Sequence, residues 1–207
     1  MVNETLSIAE RRLALTYVPR GRRALVQALF ALDDQFAAIL RSTSDPMVGQ
    51  MRLTWWHGAL TALDETFAPA QPVLQALARE VLPHGVSGAQ LAQQVEGWEA
   101  LLAPDPLPDA ALMGFAQHRG GGLFVAAGES GNDPLSAAGA GWALVDLTRH
   151  SRNAALTARA SALAAPLLAE ATARRWSRPN RALGALAHLA RREGAVARAL
   201  WHRLTGL

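Results

Sequence analysis

Apolar residues return at helical spacing along most of the chain. The clearest run is LVQALFALDDQFAAIL, where Leu25, Leu29, Leu32, Phe36 and Ile39 follow one another at steps of three and four and therefore stack on one helix face. The pattern predicts a helix from about Arg22 to Thr43. Asp33 lies beside the stripe, four positions after Leu29 and three before Phe36. A carboxylate at the edge of a buried face costs several kcal/mol, on the order of the penalty for moving an ion out of water, unless a cation or a donor meets it. Asp33 is therefore either a hydrogen-bonded edge position or part of a ligand site.

The same reading places a first helix from about Thr5 to Tyr17, stopping near Pro19. Ser44-Asp45-Pro46 supplies a cap and a first-turn proline for a third helix running to about Thr66, in which Met51, Trp55, Leu63 and Phe67 can share a face. A short helix spans Val73 to Leu82 and breaks at Pro83-His84-Gly85; Ser87 then caps one striped by Leu91, Val95, Trp98 and Leu102. The linker PDPLP is stiff but too short to divide domains, and Asp109 caps a helix carrying Phe115, Gly120 to Gly122 and Phe124. Three glycines inside a helix cost about 1 kcal/mol each relative to alanine, so a kink or a close approach is expected there. Asn132-Asp133-Pro134 turns the chain into a helix from about Leu135 to His150. The remainder reads as two helices separated near Arg178-Pro179-Asn180, with Pro166 kinking the first or ending it early. With few β-branched and aromatic residues and no convincing strand, the chain is predicted to be all-α, one helical domain over residues 1–207.

Composition narrows the chemistry. No uncharged apolar run approaches the ~20 residues that cross a bilayer, and the start MVNETLSIAERR lacks the regions of a secretory signal. Cysteine is absent, which removes disulfides, thiolate catalysis and cysteine metal sites and suits a cytoplasmic location. All 20 basic residues are arginine, so a P-loop lysine, a Schiff-base lysine and a Ser-Lys dyad are excluded. The pI of about 10.8 overstates basicity, because little titrates between histidine and arginine; the formal net charge is +3. Between Arg174 and Arg203 eight arginines accompany one acid, Glu193, an end that either forms ordinary solvated helix faces or meets an anionic partner, such as the lipid of an inner membrane as a peripheral contact. The arginines of the chain lack the interleaved aromatics of a base-stacking surface and no known nucleic-acid motif appears, so no nucleic-acid partner is expected. The six histidines are not spaced as a zinc site, and Gly128-Glu129-Ser130-Gly131 reads as a helix end and turn, not a nucleophile elbow.

Several segments together carry a resemblance. AERRLALTYVPRGRRALVQALFALDD, DPMVGQMRLTWWHGALTALD, QVEGWEALL, FAQHRGGGLFVAAGESG and GAGWALVDLTRHSRNAA, in that order, resemble the squalene/phytoene synthase-like proteins. The resemblance implies the helical isoprenoid-synthase fold with a central cavity. It also implies a transferase ancestry in isoprenoid biosynthesis, in which two facing helices each carry aspartates four residues apart. Carboxylates at i and i+4 share a helix face, and two such pairs can hold Mg²⁺ ions against a diphosphate leaving group.

Carried over position by position, the first motif begins at Asp33 with Asp34 beside it, but its partner position is Ala37. In the second region Asp146 stands where the family often has an amide, Arg149 matches the motif's arginine, and the two expected aspartates fall on His150 and Ala154. The resemblance thus implies a metal remnant at Asp33 and Asp34. It further implies a diphosphate or lipid pocket drawn from Arg22, Arg23, Arg52, Arg119, Gly121, Asp146 and Arg149, where arginines can hold phosphate by bidentate contacts. The triple glycine either lets a prenyl chain or another helix lie against the backbone or simply permits a bend. The pattern is nearest to a motif-degenerate subgroup that includes a mitochondrial assembly factor of respiratory complex I. Two functions follow from the resemblance: a protein that has lost catalysis and binds a prenyl-type lipid or a respiratory-complex protein, with no cofactor; or an active head-to-head prenyl diphosphate transferase that uses Mg²⁺. A third reading has a filled core and interaction surfaces alone.

Overall fold

A computed structural model describes residues 11–104, 106–191, 201–202 and 205–206. Among them the chain is all-α, with no strand. Residues 11–15 are helical and lead through a turn into α1 (Arg23–Ser42), followed by α2 (Pro46–Ala62), α3 (Pro72–Glu80), α4 (Gly88–Glu99) and α5 (Asp109–Phe115). Residues Ala116–Gly121 form a π-helical segment that runs directly into α6 (Gly122–Ala127). Then come α7 (Leu135–His150), α8 (Ala154–Ala173) and α9 (Arg181–Ala190).

The caps explain several boundaries. Asp45 accepts from the Met47 amide with Pro46 at the first helical position, and Ser87 and Gln90 form a reciprocal capping box at the start of α4. The α4 N-terminus is also met by Asp64, whose carboxylate accepts from the amides of Gly88 (2.6 Å) and Ala89 (2.9 Å), placing negative charge at the positive end of the helix. Asp109 is not the cap expected of it. Pro108 takes that position, and Asp109 forms an ion pair with Arg159 of α8. Pro166 does not end α8, which continues to Ala173.

The predicted α1 stripe is the centre of the core: Leu25, Leu29, Leu32 and Phe36 are all fully buried. On α2 the buried face is Gly49, Leu53, Trp56 and Leu60, not the one expected from Met51 and Trp55; those two are exposed, as is Phe67, while Leu63 is buried. The adjacent tryptophans thus part company, Trp55 exposed and Trp56 buried, with Trp56 packing edge-on against Phe36 of α1. The reason is geometric, since neighbours on a helix point about 100° apart and only one of two can face α1 and α4.

At the triple glycine the close approach is by another helix. A Cβ on Gly120 would lie 2.0 Å from the Gly139 carbonyl oxygen, and one on Gly139 would lie 2.0 Å from that of Gly120. The π segment and α7 therefore touch backbone to backbone, and the extra residue per turn of a π-helix falls where the helices are pressed together. On its other side α7 packs against α8, where a Cβ on Gly141 would meet Leu168 at 2.7 Å. Gly139→Ala is expected to destabilise the fold by about 3 kcal/mol. Gly58→Ala, on the exposed side of α2 with nothing within 4 Å of the added methyl, is expected to stabilise it by about 0.5–1 kcal/mol. Urea denaturation of both variants checks the contrast.

Candidate functional site

The contact between the π segment and α7 sets the site. Arg119, one residue before Gly120, reaches between α1 and α7 and is almost wholly buried. Its Nε and Nη2 donate to the two carboxylate oxygens of Asp33 at 2.7 and 2.9 Å, and Nη2 also donates to Asp146 at 2.7 Å. Asp146 lies two helical turns beyond Gly139, so the glycine contact and the ion triad are parts of one helix pairing. The guanidinium carbon sits 4.4 Å from the ring centroid of Trp98, 5.0 Å from that of Trp142 and 5.3 Å from that of Phe115. α4 comes close enough to supply Trp98 because residue 97 is glycine, where a Cβ would lie 2.9 Å from the Arg119 amide nitrogen.

Burying three charges is costly unless each is met, and here the charges answer one another. Arg119 is held protonated even more firmly than usual: burial works against its charge, but Asp33 and Asp146 outweigh burial. Burial pushes the Asp146 carboxyl upward, yet Arg119, His150 and Arg149 together hold it below the ordinary carboxylate range. The His150 ring stands beside it, its Nδ1 lying 3.6 Å from Oδ1 of the Asp146 carboxylate and 2.8 Å from the Asp146 backbone carbonyl oxygen.

Above the triad lies a cleft of about 490 Å³ whose wall includes Arg11, Arg12, Leu15, Asp34, Ala37, Arg41, Trp142 and His150. Asp34 points away from Asp33 and is clasped by Arg11, whose two terminal nitrogens donate to its two oxygens at 2.7 and 2.6 Å. Of the residues expected from sequence, Asp33, Asp34, Arg119 and Asp146 come together in this cleft. Arg149 acts on Asp146 through its charge.

The others serve elsewhere. Arg22 donates to the carbonyls of Ala127 and Gly128, both at 3.1 Å, and ties down the end of α6. Arg23 holds the Val18 carbonyl at 3.2 Å, and Arg52 reaches Thr43 at 3.0 Å to close the C-terminal turn of α1. Gly121 faces Ser136, whose hydroxyl would lie 3.0 Å from an added Cβ. Arg41 was not among the residues expected from sequence, although residues 33, 37 and 41 share a face of α1 and that spacing could have found it. Arg11, Arg12, Trp98 and Trp142 arrive from distant parts of the chain, and nothing in their local spacing announces the cleft.

The arginine-rich end lies partly outside the described residues. Within them Arg191 donates to Thr172 at 2.6 Å and Arg175 to the Thr205 carbonyl at 3.3 Å, so part of its charge is used internally. No helix among the described residues is long and apolar enough to cross a membrane.

Residues 9–118 match the sequence model of the squalene/phytoene synthase family. No curated protein sequence and no solved structure matches the chain. The matched stretch contains Asp33 and Asp34 and stops one residue before Arg119.

Removing the central cation leaves two buried carboxylates facing each other. Arg119→Leu is expected to cost about 3–5 kcal/mol, measured by urea denaturation at neutral pH. A carboxyl whose pKa is lowered on folding contributes stability that is complete above its unfolded value, about 3.9, and that is lost as pH falls through the folded value. Stability should therefore hold from pH 6 to about pH 5 and decline as the pH falls further, to about pH 3 and below, and the decline should be smaller in Asp146→Asn. Equal declines in the two proteins would show that Asp146 is not linked to folding.

Proposed function

Because the chain belongs to the squalene/phytoene synthase family, we propose that it is a member in which diphosphate chemistry has given way to binding. The observation that carries this reading is the Arg119 guanidinium between Asp33 and Asp146. Ionising a prenyl diphosphate requires the departing charge to be neutralised where it develops, and Mg²⁺ does this from a near-octahedral shell of hard oxygen donors. Both oxygens of Asp33 accept from Arg119, Asp146 accepts from the same nitrogen, Asp34 is turned onto Arg11, and Ala37 offers no oxygen. Among the described residues no group of three or more His, Cys, Asp or Glu side chains could hold a metal ion. This donor set does not fit a Mg²⁺ cluster: the protein's own cation takes the carboxylates, and no cofactor belongs to this reading.

What is bound, on this reading, is a respiratory-complex protein in preference to a prenyl-type lipid. Two features support that order. Large, fully buried side chains, including Phe30, Phe36, Phe115 and Phe124, pack in the interior, and eight of the eleven residues lining the cleft are ionisable, which favours neither place as an apolar bed for a prenyl chain. The outer side of α2 exposes Met47, Met51 and Trp55, side chains of the kind concentrated in protein interfaces. Any contact with a membrane is then peripheral.

Incubating the purified chain with Mg²⁺ and farnesyl or geranylgeranyl diphosphate, and extracting for condensed hydrocarbon, tests the reading directly. No product above the enzyme-free control is expected. Sustained turnover abolished by Asp33→Asn would restore the head-to-head transferase and overturn the proposal.

A further inference from the structure

We propose that the outer side of α2, with the groove between it and α1, receives an amphipathic helix of a partner protein that brings a carboxylate to Arg52. The proposal rests on the preceding reading in one respect, that the chain acts by binding another protein; it adds where that partner sits and what it must carry. Met47, Met51 and Trp55 follow one another at steps of four and are 71, 68 and 53% exposed, so they stand as one ridge along the solvent side of α2 over about 12 Å. A ridge of this kind packs into the groove of another helix, and no strand among the described residues offers an edge to an extended peptide. Beside the ridge lies a groove of about 360 Å³, between Ala38, Ile39 and Ser42 of α1 and Arg52, Trp55 and Trp56 of α2.

Trp55 is fixed before any partner arrives. Its ring stands edge-on to Trp56 at 5.3 Å between centroids, and Trp56 is itself buried edge-on against Phe36. An exposed tryptophan held in this way loses little freedom on binding, whereas the unbranched methionines beside it adapt to the apolar side chains that meet them. Charge then selects the partner. Arg52 is the one charged residue lining the groove; it reaches the hydroxyls of Ser42 and Thr43 through Nη1 and forms no ion pair with any described residue. Its other guanidinium nitrogens can take a carboxylate from outside. α2 contains no aspartate or glutamate, and Asp45, just before it, caps the Met47 amide. A second copy pairing α2 with α2 would therefore bring Arg52 no acid from that helix, whereas a different protein with an acidic flank to its apolar stripe would.

Selection on the immobilised full chain, from a phage-displayed library of helical peptides of about 18 residues, reads the occupant's chemistry. Enriched sequences are expected to share apolar residues at i, i+3 or i+4 and i+7 with an aspartate or glutamate on the flank of that stripe. In calorimetry an enriched peptide should bind the native chain and weaken at least about tenfold in Trp55→Ala and in Arg52→Glu. On Arg52→Glu, replacing the peptide's acid by arginine should restore affinity to within about threefold, which loss of the Arg52 contact to Thr43 alone would not allow. Arg79→Gln, outside the groove, should leave binding unchanged. No enrichment, enrichment of basic or unpatterned peptides, or binding indifferent to both substitutions would overturn the proposal. So would a native dimer in sedimentation that Trp55→Asp dissolves, which gives the face to a second copy. Binding to vesicles of phosphatidylcholine and phosphatidylglycerol that is lost in Trp55→Asp would give it to a membrane and equally overturn the proposal. All of these results leave the loss of catalysis standing, whereas condensed hydrocarbon in the transferase assay would overturn the preceding reading whether or not a peptide binds.

Discussion

The fold is built around one cation that cannot leave. Arg119 is surrounded by three aromatic rings and two carboxylates, and those five partners come from four helices: Asp33 from α1, Trp98 from α4, Phe115 from α5, Trp142 and Asp146 from α7. An isolated buried charge would cost more than most single contacts can return. The four helices must therefore be placed so that the triad closes, or the charges would stay in water and the core would open. A buried ion triad is weak evidence of added stability over an apolar core of the same shape. It is better evidence that this arrangement of helices, and not a near alternative, is the one selected.

Small residues make that arrangement reachable. Gly120 and Gly139 bring two backbones into contact, Gly97 admits α4 beside Arg119, and Gly141 lets α8 lie against the other side of α7. The π segment Ala116–Gly121 sits between these contacts, in a stretch with the three glycines least able to hold a regular helix by propensity. Its position supports a simple account, in which the register shift delivers Arg119 to the cleft side while Gly120 faces α7. The C-terminal helices are joined to this centre by polar ties. Asp133 and Glu129 meet Ser177 and Asn180, so the turn before α7 is fastened to the segment between α8 and α9. Burial raises the Asp133 carboxyl, but the donors of Ser177 and Asn180 and the charge of His202 bring it below its ordinary range.

Helical spacing made most of the fold legible. The α1 stripe, the capping signals at Asp45 and Ser87, and the breaks near Pro83 and Pro179 all correspond to observed features, because each depends on residues within one or two turns. Where several faces of a helix were apolar, spacing could not choose among them. On α2 the choice fell to Trp56 because α1 and α4 lie on that side. The site was legible in part for the same reason. Asp33 stood out as a carboxylate on an apolar face, and the segments resembling synthases drew attention to Asp146. That these two share a single arginine is a matter of three helices meeting, and no local pattern states it. Arg119 could be picked as a phosphate ligand but not as the partner of both acids.

A change of one charged species for another thus connects the structure to the functional reading. In the family pattern acidic pairs call for metal ions, whereas here the acids that remain are satisfied by an internal guanidinium, which can hold the helices together but cannot exchange its partners for a substrate. Electron paramagnetic resonance of Mn²⁺ titrated into the full chain tests this most directly. The account predicts that Mn²⁺ at millimolar concentration remains free in solution with the native protein. A bound, stoichiometric Mn²⁺ signal that disappears in Asp33→Asn would contradict it.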